Sequence, residues 1–151
     1  MPLGHLQHFL IQSTDMEKTK RWYVDVLGMQ EGYTPDFKFP VAWLYVDGKD
    51  VLHLTDGGAK VSENRQRYLA QTSQAESGSG VVDHLAFHAT GLREMMAHLR
   101  SRGVEFTQRQ VDAQGLYQLF LIDPNGVKIE LNFANSEAQG LTPEVMASDL
   151  K

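Results

Sequence analysis

An α+β fold built from two βαβββ modules is the architecture this chain predicts, and three observations predict it. The chain repeats itself: His8-Phe-Leu-Ile-Gln-Ser-Thr-Asp-Met16 runs into a helix-like stretch that stops at Gly28, and His84-Leu-Ala-Phe-His-Ala-Thr-Gly-Leu92 runs into another that stops at Gly103. The spacing is kept, because each histidine stands eight residues ahead of the first apolar helix residue, with the glycines 20 and 19 residues beyond the histidines. Later in each half, the segments Leu44-Tyr-Val-Asp-Gly-Lys-Asp-Val-Leu-His53-Leu54 and Leu119-Phe-Leu-Ile-Asp-Pro-Asn-Gly-Val-Lys-Ile-Glu130-Leu131 also superpose. His8 therefore matches His84, and His53 matches Glu130. An internal repeat whose paired positions are three histidines and a glutamate suggests one metal site on a pseudo-twofold axis.

Taken in order, Leu6 to Gln12 reads as a strand, and Ser13-Thr14-Asp15 as a helix start in which Thr14 and Glu17 have the spacing of a capping box. Met16, Tyr23, Val26 and Leu27 recur on one helical face, and Gly28 supplies the C-terminal stop. Segments 29–33, 41–46 and 50–55 read as three strands, the last two joined by a turn at Asp47-Gly48. The second half follows the same order. Strand 81–89 precedes a helix with Leu92, Met95, Met96 and Leu99 on its apolar side, stopped by Gly103. Strands near 104–109, 115–122 and 126–133 follow, with Asp123-Pro124-Asn125-Gly126 as the last turn. The reading is one domain over 5–133, composed of modules 5–56 and 81–133. Linker 57–80 joins them, with a weakly signalled helix around Val61 to Leu69, and 134–151 forms a tail in which Thr142-Pro143-Glu144 could start a short helix.

At 151 residues the chain is long enough to bury a real core, and 42% hydrophobic with 22% charged residues is ordinary for a soluble protein. A net charge of -5 argues against nonspecific nucleic-acid binding, which needs a basic stripe. No apolar run approaches the roughly 20 residues a membrane helix requires, and no secretory signal is visible at the start, so a cytoplasmic protein is expected. Without cysteine, imidazole and carboxylate are the available ligands, a chemistry suited to Fe, Mn, Ni, Zn or Co.

Strand alternation puts the four repeated residues on matching faces. His8 shares its face with Leu6, Leu10 and Gln12, opposite Phe9 and Ile11. His84 goes with Ala86 and His88, opposite Leu85 and Phe87. Glu130 goes with Lys128 and Asn132, and His53 with Val51 and Thr55. One face of each strand is fit to pack under the helices; the other carries the candidate ligands. A carboxylate on such a face needs a cation or a metal, since burying it alone is costly. His88 is read as a possible pocket lining, His98 as solvated, and His5 carries no signal. Trp22, Trp43 and Tyr45 are read as core or dimer contacts.

The segments Arg21-Trp-Tyr-Val-Asp-Val-Leu-Gly28-Met29, Val82-Asp-His84-Leu-Ala-Phe87 and Asp123-Pro-Asn-Gly126-Val-Lys-Ile-Glu130-Leu131 together give the chain a resemblance to the vicinal oxygen chelate superfamily (glyoxalase, bleomycin resistance, extradiol dioxygenase). The resemblance covers roughly residues 5–133. It implies paired βαβββ modules forming an open barrel around a divalent metal, a small-molecule substrate that chelates the ion through adjacent oxygens, and a homodimer. The family's metal ligands map onto His8, His84 and Glu130. Two departures stand out. Glyoxalase I-type enzymes usually carry a glutamate on the fourth strand, where this chain has His53, which then serves as a base or a fourth ligand. Extradiol dioxygenases commonly have a tyrosine ten residues before the glutamate ligand, where this chain has Phe120; Tyr117 has the wrong strand parity to replace it.

The complete two-His-one-Glu set favours Fe(II)-dependent extradiol-type dioxygenation, with Mn, Ni, Zn or Co as other candidate ions. A glyoxalase-type lyase or isomerase with His53 shuttling a proton is the close alternative. A metal-free binding protein of the bleomycin-resistance type is the reading from a different class; such a protein would be expected to lack ligands at these positions, whereas this chain keeps them.

Overall fold

A computed structural model describes residues 2–58, 61–70 and 73–151. Residues 59, 60, 71 and 72 of the expected linker lie outside the described residues. The chain divides into two compact units, Met1–Ser77 and Gly78–Lys151, with the division inside the expected linker. Each unit contains the predicted βαβββ order, giving an α+β protein with one four-stranded and one five-stranded sheet.

In the first unit, β1 (Phe9–Ser13), α1 (Met16–Asp25), β2 (Gln30–Glu31), β3 (Val41–Val46) and β4 (Lys49–Asp56) are followed by α2 (Glu63–Leu69). The sheet runs β1-β4-β3-β2. β3, Val-Ala-Trp-Leu-Tyr-Val, is composed of residues suited to a pleated, half-buried surface. It turns into β4 through Asp47 and Gly48, both at positive φ (50° and 75°), the two-residue hairpin whose backbone twist matches its strands. α1 packs on the sheet with Tyr23 fully buried, beside Val26 and Met29. Gly28, at φ 74°, ends the helix by letting the Met29 N–H reach the Tyr23 carbonyl at 3.1 Å.

Several local expectations need correcting. β1 starts at Phe9, not Leu6, so His8 stands just ahead of the strand, and Leu6 is exposed. The α1 N-cap is Asp15 rather than Thr14. Its carboxylate accepts the Lys18 N–H at 3.0 Å, and the N-terminal end of the helix dipole favours that charge. Trp43 is not simply core: it is half-buried, and its ring lies against His53.

The second unit repeats the pattern with β5 (His84–His88), α3 (Leu92–Ser101), β6 (Thr107–Val111), β7 (Leu116–Ile122) and β8 (Lys128–Ala134). Its sheet runs β5-β8-β7-β6-β9, where β9 is Val145–Met146. β5 begins three residues later than expected, because the Val82 N–H closes a turn onto Ser79. α3 buries Leu92, Met96 and Leu99, and Leu119, Leu121, Ile129, Leu131 and Phe133 supply the sheet's share of the core. Each such side chain contributes about 1.5–3 kcal/mol on burial. The turn between β7 and β8 is built on Asp123, whose Oδ1 accepts the N–H groups of Asn125 (2.7 Å) and Val127 (2.9 Å). The tail does not form the expected short helix at Thr142. Instead β9 (Val145–Met146) lies parallel to β6, pairing Arg109 with Val145 and Gln110 with Met146. The β6 edge offers this segment ready hydrogen bonds, and the Glu144 N–H reaches the Gln108 carbonyl at 3.2 Å.

Candidate functional site

Sheet order puts His8 and His53 side by side in the first unit. β1 and β4 are parallel neighbours with Leu10 opposite His53, and Trp43 on β3 is paired with His53 from the other flank. The His53 ring is consequently sandwiched. His8 stacks at a centroid distance of 3.8 Å and 18°, and Trp43 at 4.2 Å and 3°. His53 is 8% exposed, and its Nε2 lies 2.8 Å from Asp50 Oδ2.

Asp50 is a residue the sequence reading missed. On an ideal strand, positions 50 and 53 face opposite ways. Here the register passes from Leu44 opposite Leu52 to Val46 opposite Lys49, two residues of β3 against three of β4. The extra residue reverses the alternation, as a bulge does, and brings Asp50 to the His53 side. His8, Asp50 and His53 then offer ligand atoms that all lie within 4.8 Å of one another.

Two opposed effects act on His53. Burial pushes its pKa down, the Asp50 carboxylate pushes it up, and burial is the larger, so the pKa falls below its ordinary value. Asp50 is held below the usual carboxylate range, chiefly by the hydrogen bond from His53. An ionised Asp50 can only accept, so neutral His53 donates from Nε2 and keeps its lone pair on Nδ1. That is the atom able to take a proton or bind a metal.

His84 and Glu130 meet in the second unit. β5 and β8 are parallel, with Ala86 opposite Glu130, and His84 Nε2 lies 2.8 Å from Glu130 Oε2. Both groups are oriented from behind. His84 Nδ1 is 2.7 Å from Asp83 Oδ1, and the same oxygen accepts from Lys128 Nζ at 2.7 Å. Lys128 first, then His84, holds the Asp83 carboxyl below its ordinary value. Gln118 Nε2 donates to Glu130 Oε1 at 2.8 Å and to Asn132 Oδ1 at 3.0 Å. Phe120, opposite Glu130 on β7, sets its ring perpendicular to that of His84, with centroids 5.9 Å apart. His88 is exposed at the end of β5.

The donor chemistry suits a first-row divalent ion. With metal–ligand bonds of about 2.1 Å, neighbouring donors stand about 3.0–3.4 Å apart; the His84–Glu130 pair is already at 2.8 Å. A ligating histidine characteristically gives its other ring N–H to a carboxylate, and Asp83 supplies that group. Asp83 stood in the Val82-Asp-His84 motif, but its role is visible only once Lys128 is seen beside it.

The family model for the Glyoxalase/Bleomycin resistance protein/Dioxygenase superfamily matches residues 5–131. A curated lactoylglutathione lyase of Schizosaccharomyces pombe is 24% identical over 142 residues, covering 83% of this chain and 46% of the relative. The chain thus spans about half the length of that relative. Among solved structures, an antibiotic-binding protein from Streptomyces is 22% identical, with a TM-score of 0.62 over 89% of this chain and 98% of that one. A genomically encoded fosfomycin resistance protein from Listeria monocytogenes is 16% identical, with a TM-score of 0.60 over 86% and 90% of the two chains. That structure is a mutant complexed with Mn(II) and a dihydroxypropylphosphonic acid. At these identities the structural likenesses show the fold.

Proposed function

The chain belongs to the Glyoxalase/Bleomycin resistance protein/Dioxygenase superfamily, and from that premise we propose a divalent-metal-dependent enzyme acting on a small molecule that carries two adjacent oxygens. His8, His84 and Glu130 are the proposed ligands, and His53 is the proposed proton-transfer base, with fourth ligand as its other role. The observation that carries the metal is His84 Nε2 at 2.8 Å from Glu130 Oε2, with Asp83 behind the imidazole. The ion would act as a Lewis acid, polarising a substrate oxygen and orienting the molecule.

The remaining steps belong to side chains. His53 Nδ1, in a desolvated ring, takes a proton from the carbon beside the polarised oxygen. Asp50 stabilises the imidazolium across its 2.8 Å hydrogen bond, and Nδ1 returns the proton to the neighbouring carbon. A lowered imidazole pKa keeps the base form populated near neutral pH. This supports isomerase- or lyase-type chemistry ahead of the Fe(II) dioxygenation that the ligand set alone favours. Phe120 points the same way, because it puts a hydrocarbon ring beside His84 where a dioxygenase of this family would commonly place a tyrosine hydroxyl. Dioxygenation is the second reading, supported by the complete two-His-one-Glu set.

Elemental analysis after purification without chelator is expected to find about one divalent ion per chain. His84→Ala and Glu130→Ala are expected to lose it. Turnover of a hemithioacetal or a related α-hydroxy carbonyl compound with Ni(II) or Zn(II) supports proton transfer. Oxygen uptake with a catechol after anaerobic Fe(II) loading would instead establish the dioxygenase. Absence of metal, with thermal stability unmoved by divalent ions, would replace both with a ligand-binding protein.

A further inference from the structure

Beside His8 and His53, the first unit holds a cavity of about 410 Å³ whose walls are mostly rings. Phe37 lies 5.6 Å from Phe39, 6.2 Å from Trp43 and 5.2 Å from Tyr68. Phe39 lies 6.0 Å from Tyr68. Gln7, His8, Asp50 and His53 supply polar groups to its lining, and Tyr68 adds a hydroxyl to the ring wall.

This wall is assembled from two segments that are tied to each other and to the sheet. α2 carries Tyr68, and the Asn64 side chain on α2 donates to the Lys38 carbonyl, between Phe37 and Phe39, at 2.9 Å. Arg65, 2% exposed, donates from Nη2 to Gln12 Oε1 of β1 at 2.8 Å and lies 3.8 Å from Asp56 of β4. Ser62 caps α2 and gives its own N–H to Asp56. The ring wall is therefore a held surface, and preorganised rings cost little entropy on binding.

We propose that this cavity takes an uncharged molecule bearing one or two flat aromatic rings, entering with the rings among Phe37, Phe39, Trp43 and Tyr68 and its adjacent oxygens toward His8 and His53. Three features support this occupant over a peptide-like anion. The volume is within the range of small-molecule pockets. The tilted rings offer both faces and edges, which favours offset or edge-on aromatic contacts. No lysine or arginine is among the described residues that line it, and Asp50 adds a negative charge, so a carboxylate-rich thiol conjugate would enter uncompensated. The inference rests on the proposed function for its reacting end and names the substrate class of that site.

The test uses metal-free protein carrying Trp22→Phe, so that Trp43 is the sole indole, with 2-naphthol and S-methylglutathione as probes. Saturable quenching of Trp43 by 2-naphthol is expected, with no response to S-methylglutathione. Phe37→Ala should weaken naphthol binding at least about ten-fold, and Phe37→Leu, which keeps the volume apolar, by less. A thermal melt of each variant ensures that only folded protein is compared. Tighter binding of the glutathione derivative, absence of naphthol quenching, or unchanged affinity in folded Phe37→Ala would overturn the proposal. Naphthol binding without metal uptake in the separate elemental analysis would remove the proposed function and leave this inference standing; metal uptake without naphthol binding would do the reverse.

Discussion

Burial outweighs a neighbouring carboxylate at His53, whereas at Tyr117 burial and a carboxylate act in the same direction. That side chain is fully buried on β7, and its hydroxyl donates to Gln108 Oε1 at 2.8 Å. Burial first, and Glu144 second, raise its pKa above the ordinary value of about 10. The unfolded chain therefore loses this proton before the folded one does. Stability from this group is fully present below about pH 10 and is lost as pH rises from there through the folded pKa. Denaturant melts at pH 8 and at about pH 10.5 should show a loss that is smaller in Tyr117→Phe than in the parent. At pH 8 that variant should cost about 1 kcal/mol for the missing hydrogen bond. An equal alkaline loss in both proteins would show that the phenol ionises freely in the fold.

Elements in this chain are closed by partners distant in sequence. α3 starts at Gly91, which has no side chain to cap it. Glu137, from the tail, fills that role: its Oε1 accepts the N–H groups of Gly91 (2.9 Å) and Leu92 (3.1 Å). A carboxylate there both satisfies orphan donors and meets the positive end of the helix. Glu137→Ala should destabilise the protein by about 1–2 kcal/mol, read as a lower urea midpoint with unchanged slope, and Glu137→Gln should recover part of that. What could not be read from the chain has local causes as well as remote ones. Asp15, the true α1 cap, differs from the expected one by a single position, and only the bonded geometry decides between them. Asp50 stayed hidden because a local irregularity in β4 reverses its side. β9 depends on a free edge of β6 that no short-range pattern encodes.

For the molecule as a whole, the repeat was the most legible feature, because each module writes the same order of strand, helix and three strands with the same glycine stops. The alternation on β5 and β8 also reads directly: Leu85 and Phe87 are half-buried between exposed His84, Ala86 and His88, and Ile129, Leu131 and Phe133 are buried. Four ligand candidates were legible as two sets of repeated positions, and the fold pairs His8 with His53 and His84 with Glu130. What pairs with them from the side, namely Asp50, Asp83, Gln118 and Trp43, depends on strand register and could not be read.

The proposed ligand set draws on both units, and this gives a stability test of the set. An ion bound only to folded protein stabilises it by about 2.7 kcal/mol when present at one hundred times its dissociation constant. For a chain of this size that is about 5–10 °C in Tm. Adding Mn(II), Ni(II) or Zn(II) to chelator-treated protein should raise Tm by that amount for at least one ion. His8→Ala in the first unit and Glu130→Ala in the second should each abolish the gain. Asp50→Asn should keep most of it while lowering turnover, because the neutral amide still orients His53 but no longer stabilises its imidazolium. If His8→Ala removed nothing while Glu130→Ala removed everything, the ion would belong to the second unit alone, and the shared ligand set would be wrong.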